Sequence, residues 1–229
     1  GIRTPRRPSH LALLRDRSDD SLADAEYQHI LDLCRRYSTN PPSPDSSCYF
    51  NDFGEFELRW ERHTEFSTYT FLRKGTHALP FEQHALSLLP RDWLDSLPGE
   101  IVVALHCVLE DKPDAEPTAA SMHGYFEGQR LIASHVNDGE ATVWTGFRLH
   151  GDGFGRFIIY HNNLNPCDSG RLLQKLLEIE TYRLMAQLAL PQARKDMQHL
   201  DLLDRQLGNA TRQIADMNEK DNERELLTE

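Results

Sequence analysis

The chain contains no CxxC pair. Its four cysteines, Cys34, Cys48, Cys107 and Cys167, are scattered along 229 residues, so neither a zinc knuckle nor a disulfide framework is encoded, and they read as reduced thiols of a cytosolic setting. Long apolar runs are missing too. Residues 101–105 form the longest, far short of the ~20 that cross a bilayer. Positive charge is scarce: 25 Lys and Arg against 36 Asp and Glu leave a formal net charge of −11. Phosphate-backbone binding needs clustered cations, and Arg3, Arg6 and Arg7 make only a short arm, so no nucleic-acid partner is expected.

Catalytic signatures are absent as well: there is no GxSxG, no HExxH and no paired-carboxylate pattern. Gly151, Gly153 and Gly155 form a glycine-rich stretch, but a phosphate cradle needs glycines that open a helix. Strand-like residues flank these, so a hairpin turn is the reading. None of the eleven histidines stands at HxH or HxxxH spacing. A metal site would have to be gathered from separate strands, for instance from His63, His106 and His150. No metal and no cofactor is expected.

What is present is an alternation of strand and helix patterns. Residues 1–8 read as a disordered arm and residues 10–14 as a short buried strand. Ser21 opens a helix whose apolar side carries Ala23, Tyr27, Ile30, Leu31 and Cys34, and a Pro/Ser loop follows at 39–47. Phe56, Leu58 and Trp60 alternate with Glu57, Arg59 and Glu61 as a half-buried strand; the turn to 66–72 carries no Gly or Asn, so one bent continuous strand competes with a hairpin, which the usual strand length favours. Short helical or turn segments occupy 81–97. Residues 101–109 are the best candidate for a central strand buried on both faces. A weak helix over 118–126 leads to strands at 131–136 and 141–149 joined by Asp138-Gly139, and then to a strand at 157–160. The fold class is α+β: a mixed sheet of six or seven strands built from two β-α-β-β-like units, with packing helices.

Asn165-Pro166-Cys167-Asp168 is a strong helix start. Leu172, Leu173, Leu176, Leu177, Leu184 and Leu188 give the helix that follows one apolar face, and Pro191 is expected to break or kink it. Beyond, Leu200, Leu203, Leu207, Ala210, Ile214 and Met217 alternate 3-4-3-4-3, the seam of a coiled coil and the expected oligomerisation surface. The domain plan is an arm at 1–8, an α/β head at 9–190 and the start of a helical stalk at 191–229.

One polar cluster interrupts the strands. Residues 60–66 bring Glu61, Arg62, His63 and Glu65 together, with Arg148 and His150 as candidate neighbours from a later strand. Such a group suits an anion, a metal or acid–base chemistry. A solvated turn, with ion pairs worth roughly 0–1 kcal/mol each, is the plainer alternative.

The segments SHLALL (from Ser9), WERHTEFSTYTF (from Trp60), WLDSLPGEIVVALH (from Trp93), VNDGEATVWTGFRLHGDGFGR (from Val136) and GRLLQKLLEIETYRLMAQLALPQAR (from Gly170) together resemble a bacterial family of unknown function, usually described as uncharacterised membrane-anchored proteins. The resemblance implies a soluble N-terminal head at the cytoplasmic face of the inner membrane, tethered through a segment absent from this chain. It implies no catalytic residues. The expectation is a binding or assembly module that self-associates through its C-terminal helices. The alternative is an enzyme or a small-anion or metal sensor using Arg62, His63 and Glu65.

Overall fold

The computed structural model describes residues 5–15, 20–75 and 79–226, with helix side chains as far as 214. Strand β1 (Arg6–Leu14) leads into helix α1 (Asp20–Arg36) and then β2 (Cys48–Asp52), β3 (Phe56–Arg62) and β4 (Phe66–Lys74). A 3-10 turn (Ala85–Leu88) and α2 (Arg91–Asp95) precede β5 (Glu100–Asp111). Next come α3 (Ala119–Met122), a second 3-10 turn (His123–Phe126), β6 (Ile132–Val136), β7 (Ala141–Leu149) and β8 (Gly155–His161). Helix α4 (Pro166–Leu226) ends the described chain. The fold is mixed α+β, and the described residues form one sheet of eight strands, not six or seven, in the order β2-β3-β4-β1-β5-β8-β7-β6. The unanticipated strand is β2. Its CYFND sequence is alternately half-buried and exposed, so no apolar period marks it.

Connectivity repeats and polarity does not. In each half a strand is followed by a helix and three strands, and the last of the three returns beside the first. β4 pairs antiparallel with β1, whereas β8 pairs parallel with β5. β1 and β5 join the halves at the centre of the sheet, where the apolar run at 101–109 was expected.

The strand β1 starts earlier than the sequence suggested. Arg6, Arg7 and Pro8, assigned to an unstructured arm, pair with Lys74, Arg73 and Leu72. Arg7 is only 2% exposed, and its charge is answered locally. Its Nη2 donates to Glu110 Oε1 at 2.8 Å, and its Nη1 donates to the carbonyls of Leu79 and Pro80. Residues 1–4 lie outside the described part.

Alternation sorts the strand side chains onto two faces of the sheet. On one, Phe56, Leu58, Trp60, Tyr69, Phe71, Leu11 and Leu13 pack with Ile30 and Leu33 of α1 and Trp93 of α2. Trp93 stacks on His29 at 4.1 Å and donates its indole N–H to the His29 carbonyl. A second cluster of Val108, Met122, Phe126, Trp144 and Ile158 continues this core under α3. The β6–β7 turn is as written in the sequence: Asn137, Asp138 and Gly139 all take positive φ, the conformation that these residue types tolerate. Gly155 is required for another reason. A Cβ there would lie 2.7 Å from Leu105 Cδ2 across the parallel pair.

The start of α4 covers part of the other face. Asn165 Oδ1 accepts from the backbone N–H groups of Cys167 and Asp168, the expected cap. Pro191 does not end the helix, which is assigned as α throughout 166–226. Proline removes one hydrogen bond, here the one to the Gln187 carbonyl, while the bonds on either side persist. The chain divides into two compact units, Gly1–Tyr182 and Arg183–Glu229. No helix among the described residues is long and apolar enough to cross a membrane.

Candidate functional site

The side chains of β3 that point away from the main core are Glu57, Arg59 and Glu61, and those of β4 are Thr68, Thr70 and Leu72. Of these, Arg59 keeps a side-chain exposure of 37% while the others are half-buried or buried, and all but Glu57 face the first turns of α4. Between helix and sheet is a cleft of about 220 Å³. Its floor is made by His10, Thr68, Thr70 and Leu72, and its helical wall by Gly170, Leu173, Leu177 and Thr181. Arg59, Glu61, His63 and Phe66 contribute from the β3–β4 hairpin, and Gln174, Glu178 and Tyr182 from α4.

A row of hydrogen bonds ties hairpin to helix across this cleft. Arg59 donates to Glu61 Oε1 at 2.7 Å and to Gln174 Oε1 at 3.1 Å, and Gln174 in turn donates to Glu178 Oε1 at 2.8 Å. Glu178 lies one helical turn beyond Gln174, which is why the pair meets. Aromatic rings gather beside the row: His63 lies 4.6 Å from Phe66, and Tyr182 meets Phe66 edge-on at 5.6 Å.

His10 is built into the floor and its protonation state follows from its neighbours. The Thr181 hydroxyl donates to the Leu177 carbonyl at 2.7 Å. It therefore accepts from His10 Nε2–H at 3.1 Å, and His10 Nδ1 is left to accept from Thr70 at 2.8 Å. Burial pushes the imidazole from its ordinary 6.5 down to about 3, with the positive charge of neighbours adding to the effect. His10 is a neutral structural tie with both ring nitrogens engaged, and it is not available for proton transfer.

The six candidate binding residues do not converge. Glu61 and His63 line the cleft. Arg62, one residue out of phase, points through the opposite face, where its Nε donates to Glu26 Oε2 at 2.9 Å and its Nη2 to the Ala23 carbonyl. Glu65 is exposed in the β3–β4 turn, and Arg148 is exposed near the end of β7. His150 is buried beside Phe126, with its Nδ1 3.5 Å from Glu127 Oε2, and burial lowers its pKa. Strands β4, β1 and β5 stand between β3 and β8, which keeps the His150 group away from the cleft. The three histidines weighed as metal ligands are separate too: His106 is sandwiched between His84 at 4.4 Å and Phe154 at 4.0 Å. No group of three or more His, Cys, Asp or Glu positioned for a metal occurs among the described residues.

The residues that sequence reasoning missed are Gln174, Tyr182 and the floor threonines. A usable signal existed for Arg59: period two places it with Glu61 and His63, and apart from Arg62. On α4 the seam positions Leu200, Leu203, Leu207 and Ile214 are 63%, 46%, 67% and 59% exposed, and Ala210 is exposed as well. The Met217 side chain lies outside the described residues.

The architecture defines a class: an α+β protein with one mixed sheet, helices on both faces, a small helix-covered cleft and a long polar helix with an apolar row. The chain belongs to the family described as Protein of unknown function (DUF3422), whose model matches residues 1–229. No match is found among curated proteins or among solved structures.

Proposed function

We propose that this chain is a non-enzymatic assembly module that self-associates through the C-terminal part of α4. In this reading it works at the cytoplasmic face of a bacterial inner membrane, held there by a segment outside this chain. The observation that carries the reading is the exposed apolar row of Leu200, Leu203, Leu207, Ala210 and Ile214 at 3-4-3-4 spacing. Burying a leucine or isoleucine side chain contributes about 1.5–3 kcal/mol, so leaving four large ones in water is costly. A second copy of the same helix offers the complementary seam, because knobs at these spacings fit the holes of an identical partner. The stretch spans fewer heptads than a strong coiled coil needs, and Gly208 within it costs roughly 1 kcal/mol relative to alanine. Association of this chain is therefore weak, and a chain extended by further heptads associates more tightly. The bacterial membrane-anchored family that the motifs resemble supports the location.

Sedimentation velocity over a concentration series tests the proposal. The chain should show a reversible monomer–dimer equilibrium that Leu203→Asp with Leu207→Asp abolishes. A tight oligomer that survives both substitutions would place assembly on the α/β unit and refute the reading. The alternative of a sensor built on Arg62, His63 and Glu65 loses its guanidinium, since Arg62 is engaged with Glu26 on the far face.

A further inference from the structure

The cleft beneath α4 has the composition of a ligand site, and its chemistry selects one class of ligand. We propose that it binds a small organic cation: an ammonium group carrying a short apolar body. This goes beyond the assembly reading and does not depend on it.

Charge comes first. Arg59 contributes +1 and Glu61 and Glu178 contribute −1 each, so with histidines counted neutral the lining sums to −1. The one cation is already committed, through bonds to Glu61 and Gln174. An anionic ligand would have to displace Glu61 from Arg59 and then sit beside two carboxylates. A cationic ligand displaces nothing. Glu61 and Glu178 each use Oε1 in the row and keep Oε2 as an acceptor directed by the same tether.

The aromatic groups point the same way. Phe66 is buried and the exposed Tyr182 meets it edge-on, and both line the cleft with the two carboxylates. An ammonium held between carboxylate and ring gains from both, since the π face carries negative charge density. Leu173 and Leu177 on the helical wall and the methyl groups of Thr68 and Thr70 on the floor give an apolar body a place to leave water. Size limits that body. At about 220 Å³ the cleft is smaller than the roughly 300–1,000 Å³ of sites for drug-sized ligands. A single ring or a short branched alkyl group fits. His10, locked neutral by Thr70 and Thr181, adds no competing charge to the floor.

A free amine and the ethanolamine of a lipid headgroup share this ammonium chemistry. A headgroup also carries a phosphate, which the two carboxylates repel, so the free amine is the source proposed.

The test uses the full 229-residue chain and three probes of one shape: phenethylammonium, 2-phenylethanol and phenylacetate, titrated by calorimetry at neutral pH. Phenethylammonium should bind about tenfold or more tightly than the alcohol, and phenylacetate should not bind. Glu178→Gln and Tyr182→Ala alter exposed positions of α4 and leave the fold intact, and each should weaken the amine about fivefold or more. Glu61→Gln should do the same. Ethylammonium compared with O-phosphoethanolamine separates the two sources. Tighter binding of O-phosphoethanolamine would assign the site to a headgroup and overturn the proposal. It would equally fall if phenylacetate bound as well as the amine, if the amine failed to bind at about 10 mM, or if the α4 variants bound it unchanged.

Discussion

Truncating Arg62 to alanine separates a buried ion pair from a solvated turn. Its partner Glu26 is a carboxylate on α1 with a side-chain exposure of 1%, and Arg62 itself is 17% exposed. Glu26 Oε2 takes the Arg62 Nε–H at 2.9 Å, and Oε1 takes the Ser67 hydroxyl. Arg15 Nε is farther, at 3.5 Å. The Arg62 guanidinium also lies 4.9 Å over the Trp60 ring and holds the Ala23 carbonyl. Removing it leaves a buried charge without its nearest cation, a change that costs about 3–5 kcal/mol when no substitute is present. Arg15 remains, which sets the expected loss at the lower end, about 3 kcal/mol. An exposed pair would cost roughly 0–1 kcal/mol. Urea unfolding should be followed by far-ultraviolet circular dichroism, because losing the Trp60 contact shifts the native fluorescence baseline. Glu26→Gln completes the cycle: with the carboxylate gone, adding Arg62→Ala should cost at least about 1.5 kcal/mol less than it does alone. A loss under about 1 kcal/mol, additive with Glu26→Gln, would refute the buried-pair account and restore the solvated turn.

Acid should destabilise the protein through His10. The unfolded imidazole takes a proton near 6.5 and the folded one only near 3, so below 6.5 the unfolded state binds more protons. Stability is then fully present above pH 6.5 and is lost as the pH falls toward 3. The stability advantage of the parent over His10→Gln should shrink by about 2–3 kcal/mol between pH 7 and pH 4.5, and a constant advantage would mean that His10 titrates normally. At the centre of the sheet, the amides of Val103, Leu105 and Leu109 should be among the slowest to exchange, since opening β5 approaches global unfolding. Val103→Asp, at a position 1% exposed, should cost on the order of 3 kcal/mol or more in chemical denaturation, and a loss near zero would take β5 out of the core.

Much of the fold was legible because it is written in local periods. The alternation from Phe56 to Glu61 located β3, the Asn137–Gly139 turn located the β6–β7 hairpin, and Asn165 marked the start of α4. The β3–β4 hairpin was legible from strand length alone, for its turn closes through His63 N–H to the Phe66 carbonyl without Gly or Asn. β2 was not legible, since a five-residue edge strand with half-buried side chains carries no apolar signature. The candidate site was only half legible. Treating residues 60–66 as one cluster ignored the strand period, which sends Glu61 and His63 to the cleft and Arg62 to Glu26. The polar inner positions of α4 were hidden for another reason. Gln174 and Thr181 find partners in Arg59 and His10, 115 and 171 residues away in sequence, a distance across which no local pattern carries information.

The tie between His10 and α4 also has a meaning in time. During synthesis His10 emerges first of the three, Thr70 follows 60 residues later, and Thr181 arrives 171 residues behind His10. From Thr70 to Thr181 is 171 − 60 = 111 residues, so at about 5–20 residues per second the second partner is missing for roughly 5–20 s after the first has arrived. Through that interval the β3–β4 face is bare on the nascent chain, and a ribosome stalled before α4 would display it indefinitely. The helix is therefore a late latch: its arrival closes the sheet, and until then the bare face is a surface that chaperones and proteases can read as unfinished.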